Sequence, residues 1–154
     1  MSGYKDFITV KIIGLEEAKF KLSEIPNVIN TTLKDQETLS DIGKVLLGSA
    51  VTTIRAGGRP TPYKPLAAST VAAKIRKYKK DSGILIGRGT MLDSLKYEVD
   101  GGQLYLTSVG YLKYHQFEEG RTRANFPARP VWGVLEEDAL DISDIIIAGI
   151  KRNL

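Results

Sequence analysis

The 154-residue chain has no cysteine, one histidine and one tryptophan. Without cysteine there is no disulfide and no thiolate chemistry, and the compartment is left open. One histidine and no thiol leave carboxylates as the remaining metal ligands. Those suit calcium or magnesium, but no Asp/Asn-rich loop with regular ligand spacing occurs. No apolar run approaches the roughly 20 residues that span a bilayer. The first residues, MSGYKDFITV, lack a long uncharged stretch and a small-residue cleavage site, so they do not read as a signal peptide. Met-Ser lacks the second-position glycine that myristoylation requires. The length fits one domain over residues 1–154.

Charge is present in ordinary amount but is unevenly spread. The net charge is +4, yet Arg59 to Arg129 carries 13 Lys/Arg against 6 Asp/Glu. The two ends together are slightly acidic. Such asymmetry can steer a protein toward an acidic partner or nucleic acid. More commonly it is a solvated surface.

Periodicity predicts the elements. FITVKII, Phe7 to Ile13, reads as a strand stopped by Gly14, and Leu15 to Ser23 has helical spacing. The clearest helix follows Asp35, a good N-cap, with Glu37 in its first turn. Leu39, Ile42, Leu46, Ala50 and Ile54 form one apolar stripe, and Gly57-Gly58 ends the helix. RPTPYKP, Arg59 to Pro65, is extended. A basic helix runs from about Ala67 to Lys79, with Val71, Ile75 and Tyr78 as its expected inner face. Thr90 to Asp93 is a helical turn. Alternating runs across Asp100-Gly101-Gly102 predict a β-hairpin over residues 95–109. Tyr111 to Glu118 is a short helix or turn, Phe126 to Pro130 is extended, Val131 to Val134 is a last strand, and Leu140 to Ile150 is a closing helix. The sum is an α+β fold: an antiparallel sheet packed against a long helix of the N-terminal half and a C-terminal helix.

Candidate chemistry is sparse. His115 has no serine in a nucleophile-elbow context, and Glu119 stands only at i,i+4 to it. Glu118-Glu119 and Glu136-Glu137-Asp138 read as surface or helix-start acids. Gly83-Ile84-Leu85-Ile86-Gly87-Arg88-Gly89 is neither a dinucleotide fingerprint nor a P-loop. KIRKYKK, Lys74 to Lys80, combines cations with an aromatic as a nucleic-acid surface would. Tyr78, however, falls on the helix's apolar side. No catalytic, cofactor or metal residue is assigned, and no cofactor is expected. The irregular segments Arg59–Pro65 and Glu119–Pro130 are the stronger candidates, as contact loops.

From Tyr63 onward the chain resembles the phage virion-morphogenesis proteins, also called tail-completion proteins. Tyr63, Pro65-Leu66, Thr70, Lys74 and Ile84-Leu85 fit the first blocks of their pattern. Gly89, Met91 and Ser94 fit a turn, with Arg88 where threonine is usual. Tyr111, His115 and Gln116 fit the next block, and Pro127-Ala128-Arg129-Pro130 fits the last. Leu112, Glu118 and Val131-Trp132 depart from the pattern. The likeness is strongest over residues 63–133, and it lies in the order and spacing of weak blocks.

The resemblance implies a non-enzymatic structural protein of a phage or prophage. It would act in tail completion or head–tail joining, in a ring with other copies of itself and with neck or tail proteins. Such a protein assembles in the host cytoplasm and ends in the virion at the head–tail junction. On this reading Tyr111, His115, Gln116, Pro127, Arg129 and Pro130 are architectural, and Arg121 and Arg123 are partner contacts. The alternative is a small basic nucleic-acid-binding module. No membrane partner is expected.

Overall fold

The computed structural model describes residues 26–79, 82–117 and 127–153. The expected strand Phe7–Ile13 and helix Leu15–Ser23 lie outside them. The fold is α+β: helices α1 (Pro26–Thr32), α2 (Gln36–Arg55), α3 (Ala68–Tyr78) and α4 (Thr90–Ser94), strands β1 (Lys96–Asp100) and β2 (Gln103–Thr107), a 3-10 turn (Gly110–Leu112), then α5 (Lys113–Gln116) and α6 (Glu136–Asn153). The residues cluster into two compact units. One takes residues 26–47, Lys96–Thr107 and 136–153; the other takes Gly48–Leu95 and Ser108–Leu135. The boundary in α2 falls after Leu47.

The long helix begins and ends as its sequence directs. The Asp35 carboxylate accepts the Thr38 backbone N–H and the Thr38 hydroxyl, both at 2.9 Å. These bonds satisfy a first-turn donor and hold the Asp35 carboxyl below its ordinary range. At the other end Gly58 N–H reaches Thr53 O at 2.8 Å and Gly57 N–H reaches Ile54 O at 3.1 Å. This is a Schellman closure, and Gly57 supplies its left-handed φ of 73°. Between the ends, Leu39, Ile42, Leu46, Ala50 and Ile54 are all buried, none more than 7% exposed.

In the first unit two glycines allow helices to be approached closely. A Cβ at Gly43 would lie 2.4 Å from the Tyr97 ring, so the hairpin's aromatic rests on α2 there. The Tyr97 hydroxyl meets Ser40 at 3.2 Å. A Cβ at Gly149 would lie 2.7 Å from both Thr32 and Thr38, which are fully buried. That bare helix surface lets α6 sit on the α1–α2 corner. Arg152, in the last turn of α6, donates to Asp35 at 3.0 Å, Glu37 at 2.8 Å and Thr38 at 3.1 Å. It brings a cation at one helix C-terminus to acids at another's N-terminus, where both dipoles favour it. Half-exposed, the pair contributes geometry more than energy.

The hairpin has the expected register, with Asp100 opposite Gln103 and Lys96 opposite Thr107. Gly101 and Gly102 have φ of 57° and 72°, the two positive values of a type I′ turn. Only Leu106 of the hairpin is fully buried; Tyr97, Val99 and Leu104 are half-covered. Among the described residues the sheet has two strands, and Val131–Val134 is not one of them. The backbone N–H groups of Val131 and Trp132 are taken by a side chain, described below, and make no ladder.

The basic helix also departs from expectation. α3 has no buried residue; Val71 and Tyr78 are half-buried, and Ile75 is 46% exposed. The face that α3 turns inward also carries Lys74. Its Nζ donates to Ile86 O at 2.6 Å and to Gly83 O. A Cβ on Gly87 would lie 2.9 Å from the Tyr78 hydroxyl, so the bare glycine admits the ring's tip. Lys74, capping loop carbonyls, shares the inward side with Val71 and Tyr78, and of the expected inner face Ile75 alone turns outward.

Leu46→Ala should destabilise the protein by about 2–5 kcal/mol, because a buried leucine leaves a cavity as well as lost transfer energy. Urea unfolding measures it. A loss below about 0.5 kcal/mol would show that the stripe is not close-packed.

Candidate functional site

The second unit holds a corner built from chain segments far apart in sequence. Gln116, the last residue of α5, uses its whole amide. Oε1 accepts the N–H groups of Val131 and Trp132, both at 2.9 Å, and Nε2 donates to Trp132 O at 2.6 Å. Only this orientation of the amide satisfies all three bonds; a flip would oppose donors to donors. Val131 and Trp132 are themselves buried, at 3% and 5% exposure. Their polar backbone would be costly there without the glutamine.

Next to it the segment Pro127–Pro130 is fixed from two sides. The Arg129 N–H donates to His115 O at 2.8 Å. The Arg129 guanidinium, 5% exposed, donates to Lys64 O at 3.2 Å. The Tyr63 hydroxyl donates to Pro130 O. Proline has no N–H, so only its carbonyl can be tied, and Tyr63 ties it. Burial pushes the Tyr63 phenol up to about 12, against the opposing pull of the nearby Arg129 charge. Burial likewise lowers the Arg129 guanidinium, which Tyr63 partly offsets. Arginine stays protonated in any case, and its planar fork suits carbonyl oxygens.

A third tie joins α4 to the 3-10 turn. Ser94 donates to Met91 O at 2.7 Å and accepts the Val109 N–H at 3.1 Å. It thereby connects the chain before the hairpin to the chain after it.

Of the expected architectural residues, Gln116, Arg129 and Pro130 meet in one corner, and His115 joins through its carbonyl. The His115 side chain is half-buried. Pro127 is half-buried and Tyr111 is 46% exposed on the 3-10 turn. Arg121 and Arg123 lie outside the described residues, as do Glu118 and Glu119. The sequence alone assigns no role to Tyr63 in this corner or to Lys74 at the Gly83–Ile86 loop. An aromatic inside a proline-rich, otherwise polar stretch was the available signal for Tyr63. Among the described residues no group of three or more acidic or histidine side chains is placed to hold a metal. The corner's polar side chains act on main-chain carbonyls and amides.

The profile of the phage virion morphogenesis family matches residues 19–151. The chain belongs to that family. The match extends the likeness from the blocks after Tyr63 across α1, α2 and α6. A search of curated proteins returned no match, and neither did a search of solved structures. The family is one of structural and assembly proteins, which places this chain with virion construction. Tyr63, Lys74, Ser94, Gln116 and Arg129 all belong to the blocks that carry the likeness. Each makes a side-chain bond to the backbone of another residue.

Gln116→Ala should cost about 1–3 kcal/mol by leaving two buried N–H groups and a carbonyl without a partner. Denaturant titration checks this, and an unchanged midpoint would mean that the corner closes without the amide. Tyr63 makes a second, pH-dependent test. Its folded-state pKa stands above the unfolded value near 10. The associated stability is therefore present below pH 10 and is lost as pH rises from about 10 toward 12. Tyr63→Phe should be less stable at neutral pH but lose less on going from pH 9 to 11. Parallel curves for mutant and parent would contradict the assignment.

Proposed function

We propose that this chain is a non-enzymatic structural protein of a phage or prophage that acts in tail completion or head–tail joining. It works in a ring with other copies of itself and binds neck or tail proteins. It assembles in the host cytoplasm and remains in the virion at the head–tail junction. The observation that carries this reading is the family match over residues 19–151. The structure is consistent with it in chemistry. The polar side chains resolved in the Gln116 corner bind backbone, as suits a part that must keep its shape under load. Arg121 and Arg123 are proposed to meet carboxylates of a neck or tail partner. Their charge and their place in the family's segment between Gln116 and Pro127 support that role.

The test is a phage from which the gene is deleted. Filled heads and tails should accumulate unjoined or with abnormal tail ends, and supplied wild-type protein should restore tailed, infectious particles. Normal infectious particles without the gene would refute the proposal. A protein carrying Arg121→Glu and Arg123→Glu should remain folded by circular dichroism yet complement poorly, since reversed charges oppose an acidic partner.

A further inference from the structure

Among the described residues, two helices present unlike, exposed faces. α3 is 11 residues long and has no buried side chain. Helices this short are marginal in water unless an amphipathic face is packed. Its outer face combines Ala72 and Ile75 with Arg76, and Lys79 follows as the C-cap, all exposed. α3 contains no acid. α6 buries Asp138, Ile142 and Gly149 on one side. The opposite side carries Leu140, 67% exposed, and Ile147, 50% exposed, about two helical turns apart. Asp141 and Asp144 are exposed beside them. Lys151 ends the same side of α6. One face is apolar and basic, the other apolar and mainly acidic.

We propose that the α3 face of one copy packs against the α6 face of the next. This rests on the ring-forming part of the proposed function and names the contact that builds the ring. The charges select a second copy as the occupant. Arg76 and Lys79 meet Asp141 and Asp144 around a seam of Ile75, Leu140 and Ile147. Two α3 faces would repel each other, and so would two α6 faces, so the contact is head to tail. A contact between unlike faces repeats from copy to copy and closes into a ring when its rotation allows. Because opposite charges border the seam, association should weaken as salt is raised.

The test uses the full chain in two charge-reversed forms. The first carries Arg76→Glu and Lys79→Glu; the second carries Asp141→Lys and Asp144→Lys. All four positions are exposed, and circular dichroism confirms folding. Sedimentation velocity should show the wild type associating and each variant alone at least about tenfold weaker. An equimolar mixture of the two variants should regain association, since each α3–α6 pairing between unlike copies is again attractive. Either variant alone associating like the wild type, or a mixture that stays dissociated, overturns the contact while leaving the ring reading intact. A wild type that remains monomeric overturns both. If the first variant loses binding to duplex DNA while its self-association is unchanged, nucleic acid is the occupant and the proposal fails.

Discussion

Burial of one stripe of α2 is the constraint on which the rest depends. Leu39, Ile42, Leu46, Ala50 and Ile54 are removed from water along about four turns of a single helix. The stripe crosses the boundary after Leu47, so Leu39, Ile42 and Leu46 belong to one compact unit and Ala50 and Ile54 to the other. Burial of large apolar side chains is the main favourable term in folding. What surrounds the stripe in the first unit is arranged to approach the helix closely. Gly43 admits the Tyr97 ring, and Gly149 admits the Thr32 and Thr38 side chains. Glycine inside a helix costs about 1 kcal/mol relative to alanine. At these two positions a methyl group would collide with a neighbour, so closeness decides the residue.

The second unit solves a different problem. A proline-rich segment and a non-ladder strand-like segment, Pro127 to Val134, must be held without the regular pairing of a sheet. Side chains supply the missing partners: Gln116 for two amides and a carbonyl, Arg129 and Tyr63 for carbonyls at Lys64 and Pro130. Buried backbone needs such partners wherever secondary structure does not provide them. This is why polar residues in the Tyr63, Gln116 and Pro127–Pro130 blocks, unremarkable in composition, organise the corner.

The legible features are those written locally. Asp35 three residues before Thr38, the three- and four-residue steps through α2, Gly57-Gly58 and Asp100-Gly101-Gly102 each specify a cap, a face, a stop or a turn within a few residues. The hairpin register follows from its turn. Less legible were features decided by residues distant in sequence. Val131–Val134 has the composition of a strand, but Gln116, 15 residues before Val131, takes the amides of Val131 and Trp132. Val71, Ile75 and Tyr78 have the spacing of a buried face. Val71 and Tyr78 do turn inward, but Lys74, reaching the carbonyls of Gly83 and Ile86, fills the place beside them and Ile75 is left exposed. Resemblance to the family groups the corner residues. Their individual bonds depend on tertiary placement that spacing does not contain.

The claim that this protein is built into the virion's joint, and not into a catalyst or a free nucleic-acid-binding module, is tested most directly by finding it in finished particles. Antibody-gold labelling of purified, infectious virions under the electron microscope makes that measurement. Gold at the junction of head and tail, in nearly every labelled particle, is the predicted result. Virions that carry no label at that junction, with the protein recovered only from the lysate, would contradict the account.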